Sequence, residues 1–179
     1  MPLLPTPSEL AARARADLRV GLPVVVGSSS GIAILAAETL TASRLEAIRQ
    51  IGTLVLVITD RRAETLKAHA YDGDIARLQI PDDADATWIR AVADPADDLR
   101  MPMKGPLSAQ REGEAGLHRL AIALVKSAQL LPAALVVALH DAKAFARDRN
   151  LTLLSPEATH QDLLIHHTLN PVAAARLPI

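Results

Sequence analysis

The sequence predicts an α+β fold, a mixed β-sheet covered by helices. Three observations point there. Thr53–Thr59 (T-L-V-L-V-I-T) and Ala133–Leu139 (A-A-L-V-V-A-L) are short, nearly continuous apolar runs, the pattern of strands buried on both faces. Segments with helical periodicity alternate with the strand-like runs. Ser28-Ser29-Ser30-Gly31 is a turn joining two further apolar runs, so at least one pair is a hairpin and the sheet is mixed.

The elements follow in order. Thr6-Pro7-Ser8-Glu9 combines an N-cap threonine, a proline at the first helical position and a glutamate at the third, a capping box opening a helix to about Val20. Gly21 stops it. Leu22–Val26 and Ile32–Ala37 are the hairpin strands. Thr41 opens a helix to about Gln50. After the strand at 53–59, Asp60 is expected to cap a helix to about His69. Asp74–Ile80 is a weaker strand, and Asp82 or Asp83 starts a helix with Trp88. Residues 94–112 hold three prolines and little periodicity, and loops of that length often carry function.

Gly113–Leu131 is the strongest helix, with Leu117, Leu120, Leu124 and Leu131 on one face and Ala121, Val125 and Ala128 beside it. It runs through Pro132 into the strand at 133–139. A short helix from Asp141, a short strand at 151–154 and a helix to about Thr168 complete the chain, and Asn170-Pro171 ends that helix. There is no internal repeat.

Composition bounds the function. The 179 residues are half apolar and 22% charged, which suits one globular domain. Only Tyr71, Trp88 and Phe145 are aromatic, so no stacking platform for single-stranded nucleic acid is expected. A net charge of −1 gives no basic surface for duplex DNA or anionic lipid. With no cysteine, disulfides, thiolate nucleophiles and cysteine-bound zinc are excluded. The N-terminus has no basic-then-apolar leader and no run is apolar enough to span a bilayer, so the expected address is cytoplasmic, with no nucleic-acid or membrane partner.

The order of these elements resembles the 3,4-dihydroxy-2-butanone 4-phosphate synthase family of riboflavin biosynthesis, from about Ser8 to Ile165. Gly21–Val26 is similar to the family's first strand, and Leu35-Ala36-Ala37-Glu38 with Thr41 to its second strand and turn. Leu54–Arg62 resembles its L-V-x-x-x-T-x-x-R segment. Asp97–Arg100, Gly105-Pro106-Leu107 and Arg111-Glu112-Gly113 follow its loop, and Leu131-Pro132-Ala133-Ala134 matches the end of its long helix. The tail V-A-A-A-R-L-P is also similar to that of some bacterial GTP cyclohydrolase II proteins, where such a domain precedes the cyclohydrolase. Residues 1–169 are therefore expected to form one synthase-like domain, and 170–179 a junction to a cyclohydrolase domain that the chain lacks.

The resemblance implies a reaction that rearranges ribulose 5-phosphate and releases formate. An acidic loop after the first strand, a histidine in G-H-T-E and a later glutamate would serve a divalent cation and proton transfer. The acidic positions fall on or near Ser28 and Ser30, the histidine on Leu117 and the glutamate on Ala138. The D-G-x-M segment gives way to Leu139-His140-Asp141. A serine hydroxyl supplies neither the charge nor the basicity of a carboxylate. The resemblance thus implies no retained catalytic residue, no metal ligand and no cofactor, Mg²⁺ being implied only if synthase activity survives.

The candidate ligand-binding residues are Ser28, Ser29, Ser30, Gly31, Lys104, His118 and Arg119. The serine loop can offer donors to an anion or be simply a hairpin turn. His118, Arg119 and Lys126 can line a phosphate pocket or form a solvated helix side. Lys104 can reach a phosphate from the long loop or be solvated. His166-His167 suits a helix C-terminus better than a metal. Asp82–Asp85 suits a helix start, and Glu38 a structural role. Three functions remain: a non-catalytic, homodimeric domain supporting the folding, dimerisation or regulation of an attached GTP cyclohydrolase II; a sugar-phosphate enzyme with a rebuilt site; and a small-anion or metabolite sensor.

Overall fold

In a computed structural model, which describes residues 3–165, six strands form one sheet in the order β4-β3-β5-β2-β1-β6. The strands are β1 (Val24–Gly27), β2 (Gly31–Ala36), β3 (Leu54–Thr59), β4 (Ile75–Gln79), β5 (Ala133–Leu139) and β6 (Leu153–Leu154). Only β1 and β6 pair in parallel; the other neighbours are antiparallel. The mixed, helix-covered sheet is as the alternation of apolar runs requires.

Helices cover both faces. α1 (Pro7–Arg19), α5 (Gly116–Ser127) and α7 (Pro156–Ile165) pack on one side against Val26, Ile34, Val57 and Val136. α2 (Ala42–Arg49), α3 (Asp60–Thr65), α4 (Ala86–Ala93) and α6 (Ala142–Asp148) pack on the other against Val25, Leu35, Leu56 and Leu135. Successive residues of β3 and β5 alternate between these two cores, which is why both runs read as continuously apolar.

The predicted capping box is present: Thr6 Oγ1 accepts from the Glu9 N–H at 3.3 Å, and Glu9 accepts from the Thr6 N–H at 2.7 Å. Arg19, in the last turn of α1, donates to the Ala128 carbonyl at 2.8 Å, and Arg15 pairs with Asp162 on α7, so polar contacts tie this helical layer together.

Several boundaries differ from expectation. Thr59, rather than Asp60, caps α3, because its extended backbone lets its hydroxyl accept from the Arg62 N–H. α3 ends at Thr65, where the Leu66 cap and the left-handed Lys67 (φ 56°) turn the chain. Asp82 and Asp83 lie in a turn closed by the Ala84 N–H on the Pro81 carbonyl, and Asp85 caps α4 by accepting from the Trp88 N–H at 2.7 Å. α5 is shorter than its periodicity, ending where Gln129 takes φ 62°.

Residues 94–112 are organised rather than loose. After a 3₁₀ turn at Pro95–Asp97, the Ser108 carbonyl accepts from the Gln79 N–H, and the Gln110 N–H donates to the Arg77 carbonyl, both at 2.8 Å. This short antiparallel stretch covers the exposed edge of β4. His166 and His167, and the junction expected at 170–179, lie outside the described residues.

Candidate functional site

A cavity of about 990 Å³ opens on the α5 face of the sheet. Its floor includes Ile32 of β2, and the first turns of α5 and α7 form its walls through Leu117, His118, Glu157 and His160. Ala138 pairs with Ile32 across β2 and β5, and strand alternation turns it to the face carrying Ala134 and Val136. The positions that the family resemblance assigns to histidine and glutamate therefore lie at one end of one face. They hold leucine and alanine.

His118 and Arg119 sit together in this cavity wall. His118 is half-buried, and its Nδ1 is shielded from solvent without a hydrogen bond. Burial pushes its pKa below the ordinary value of 6.5, and the Arg77 guanidinium pushes the same way, with Asp72 opposing in part. Burial thus favours the neutral form of this imidazole. Arg119 donates Nε–H to Asp74 at 2.8 Å and a terminal N–H to the Asp72 carbonyl at 2.7 Å, so much of its donor fork is already engaged.

Sequence reasoning missed Arg77. It lies mid-strand in β4, faces α5 and is 2% exposed. Its guanidinium holds Asp72 through two hydrogen bonds at 2.7 and 3.0 Å and donates to the Gly113 carbonyl at 3.1 Å. Two aspartates and two arginines therefore balance one another beside His118, and pin the turn before β4 to the approach to α5. The available signal was an arginine inside a strand, preceded by aspartates three and five residues before: a buried guanidinium requires a partner.

The serine hairpin adjoins the cavity through Ile32 but does not converge on it. Ser28, Ser29 and Ser30 are exposed. The Ser28 N–H donates to the Ser30 carbonyl at 2.9 Å, and its carbonyl accepts from the Lys143 N–H at 3.2 Å, so the Ser28 backbone is used by the turn. Gly31 is buried, and a Cβ there would stand 2.2 Å from the Val26 carbonyl oxygen. Close approach of the hairpin strands accounts for that glycine without a ligand.

Lys104 is on the opposite face. It is 7% exposed; its ammonium binds Asp98, and its carbonyl accepts from Trp88 Nε1 at 3.3 Å. Arg62 holds the same carboxylate through two bonds of 2.7 Å and also donates to the Ala91, Val92 and Asp94 carbonyls. These are among the last carbonyls of α4, which a helix end leaves unpaired. The two cations hold the Asp98 carboxyl far below the usual range. Lys104 is thus a buried structural cation, placed away from the cavity that holds His118. Glu38 is likewise structural: it accepts from the Leu131 N–H at 2.7 Å, fixing the link between α5 and β5.

No family model matches the chain. Solved structures do. A two-domain 3,4-dihydroxy-2-butanone 4-phosphate synthase from A. baumannii superposes with a TM-score of 0.61 at 16% identity, over 88% of this chain and 57% of that one. A 3,4-dihydroxy-2-butanone 4-phosphate synthase in complex with two magnesium ions gives 0.60 at 16% identity, over 87% and 94%. The chain is a domain of the dihydroxybutanone phosphate synthase fold. This synthase-like domain is also 30% identical over 178 residues to GTP cyclohydrolase-2 of Azospirillum brasilense, covering 93% of the chain. It spans 46% of that relative's length.

The magnesium of the synthase structure provides a direct test of the donor set. A hard divalent cation takes about six oxygen ligands, carboxylates foremost. Among the described residues no three His, Asp or Glu side chains are grouped to hold a metal ion. Asp74, the carboxylate of β4's leading turn, is engaged by Arg119. The cavity does not fit the ion. Among the described residues, no helix is long and apolar enough to cross a membrane.

Proposed function

We propose that this synthase-like domain is catalytically degenerate and acts as a dimeric support for an attached GTP cyclohydrolase II. The observation behind this reading is the cavity at the start of α5. Leu117 lines it and Ala138 shares its sheet face, both at ligand positions that the resemblance assigns, and the serine hairpin stands where the resemblance puts an acidic loop. Loss at one position can be compensated by a neighbour. Loss at three, on β5, α5 and the hairpin, removes both the cation's oxygens and the groups that would move protons next to a carbonyl.

The remaining polar groups do not rebuild that chemistry. Arg77 and Arg119 are balanced by Asp72 and Asp74, which leaves little net attraction for a phosphate. His118 is an imidazole without a carboxylate hydrogen-bonded to orient it. The core is intact by contrast, with both sheet faces filled by aliphatic side chains. An intact core beside an erased donor set is what selection for support, without turnover, leaves behind. The likeness to a cyclohydrolase-2 more than twice as long supports a domain joined to a cyclohydrolase; the proposal takes residues 170–179 as the junction and the cytoplasm as the location.

Light scattering on the purified chain over a hundredfold concentration range tests the supporting role. A dimer mass at the upper concentrations is expected. A strict monomer throughout would remove the dimerising function. Reading the natural coding sequence beyond Ile179 tests the attachment, with a cyclohydrolase II domain expected in frame.

A further inference from the structure

A second concavity lies across the sheet from the His118 cavity, between α2 and α6. Its volume is about 280 Å³, just below the roughly 300 Å³ at which ligand sites usually begin. Leu35, near the end of β2 and 2% exposed, forms its floor. Ile48 and Ile51 line the α2 side, with Phe145 and Leu151 on the α6 side. Among the described residues, the lining on this side comes from α2, α6 and the segments beside them, and from no third helix.

Two arginines, Arg44 on α2 and Arg149 at the C-cap of α6, complete the lining. No acidic residue lines the groove. Arg149 stacks on the Phe145 ring, its guanidinium carbon 4.1 Å from the ring centroid. The adjacent Asp148 is engaged by Arg147 at 2.9 Å. Among the described residues neither Arg44 nor Arg149 has an ion-pair partner. Elsewhere in the molecule, Arg15, Arg62, Arg77 and Arg119 all meet carboxylates. An apolar slot whose only charged side chains are two uncompensated guanidinium groups complements one kind of guest: an apolar body ending in an anion.

We propose that the α2–α6 groove binds a small amphipathic carboxylate, its apolar part over Leu35 and between Ile48 and Phe145, its carboxylate between Arg44 and Arg149. The apolar part displaces water from the partly exposed lining residues Ile51, Phe145 and Leu151. The planar guanidinium fork supplies paired donors to the carboxylate. The volume admits a short chain or a single ring and excludes a full-length lipid tail. The site is independent of the degenerate cavity, which is on the other face of the sheet.

Isothermal titration calorimetry with octanoate, and with octan-1-ol as its neutral counterpart, tests this. Saturable one-to-one octanoate binding is expected, with octan-1-ol at least about tenfold weaker through loss of the charge-assisted bonds. Arg44→Gln and Arg149→Gln should each weaken octanoate several-fold, and the double substitution should abolish the preference for octanoate. Ala47→Trp, at an exposed position beside the groove on α2, should block octanoate by filling the space while both arginines remain. Thermal unfolding of each variant reports on folding. Equal affinity for octanoate and octan-1-ol, absence of saturable octanoate binding, or octanoate binding unchanged in a folded double-arginine variant or in Ala47→Trp would overturn the proposal.

Discussion

The two faces of the sheet handle buried charge differently. On the α4 face, Arg62 and Lys104 converge on Asp98, and Arg62 spends its remaining donors on the carbonyl end of α4. The cluster fastens the start of the 94–112 segment to the helix it follows. On the α5 face, Arg77 and Arg119 hold Asp72, Asp74 and Gly113, but the adjacent His118 keeps a shielded nitrogen without a partner. The first cluster is a closed structural lock. The second is a lock beside an open cavity, and the open part is where the synthase resemblance places chemistry. Ion-paired clusters stand on both faces, while on one of them Leu117 and Ala138 occupy positions to which the resemblance assigns reacting groups.

Substitutions that break each lock sharpen the comparison. Arg77→Met is expected to have the largest effect, about 4 kcal/mol of unfolding free energy, because it leaves Asp72, only 11% exposed, unpaired. Asp98→Asn should cost somewhat less, about 3 kcal/mol, since that carboxylate is 31% exposed although both its cations are buried. Urea unfolding measures both. If either variant lost less than about 1 kcal/mol, a level typical of surface ion pairs, that cluster would not be the lock described here.

The smallest expected effect is a pH dependence. Because the folded-state pKa of His118 lies below 6.5, the folded protein binds this proton more weakly than the unfolded chain. Its contribution is fully present above the unfolded value and is lost as pH falls below about 6.5. Melting curves from pH 7.5 to 5 should therefore fall less steeply for His118→Gln than for the unmodified chain. Parallel curves would contradict the burial of this imidazole. Asp98 also has a lowered pKa, but its contribution persists until the pH falls below its ordinary value of 3.8, so the two acid responses are separable.

Most of the fold was legible because it rests on local signals. The strand at 133–139 was read to the residue, and the capping box at Thr6 placed the first helix within one residue. Boundaries failed where a neighbouring residue supplied the cap, as Thr59 did in place of Asp60 and Asp85 in place of Asp82 or Asp83. The site was less legible because its determinants are contacts between distant residues. Lys104 looked like a solvated or phosphate-reaching loop lysine, since nothing in its own segment announces that Asp98 and Arg62 will bury it. Arg77 was passed over in a weak strand, although its position among apolar neighbours already demanded a partner.

The central claim is that the cavity beside His118 has lost the synthase reaction while the fold around it persists. Its most direct test is formate release from ribulose 5-phosphate by the purified chain with Mg²⁺ at pH 7.5. The account predicts formate no higher than in a protein-free control. Mg²⁺-dependent formate release that disappears in His118→Ala would contradict it.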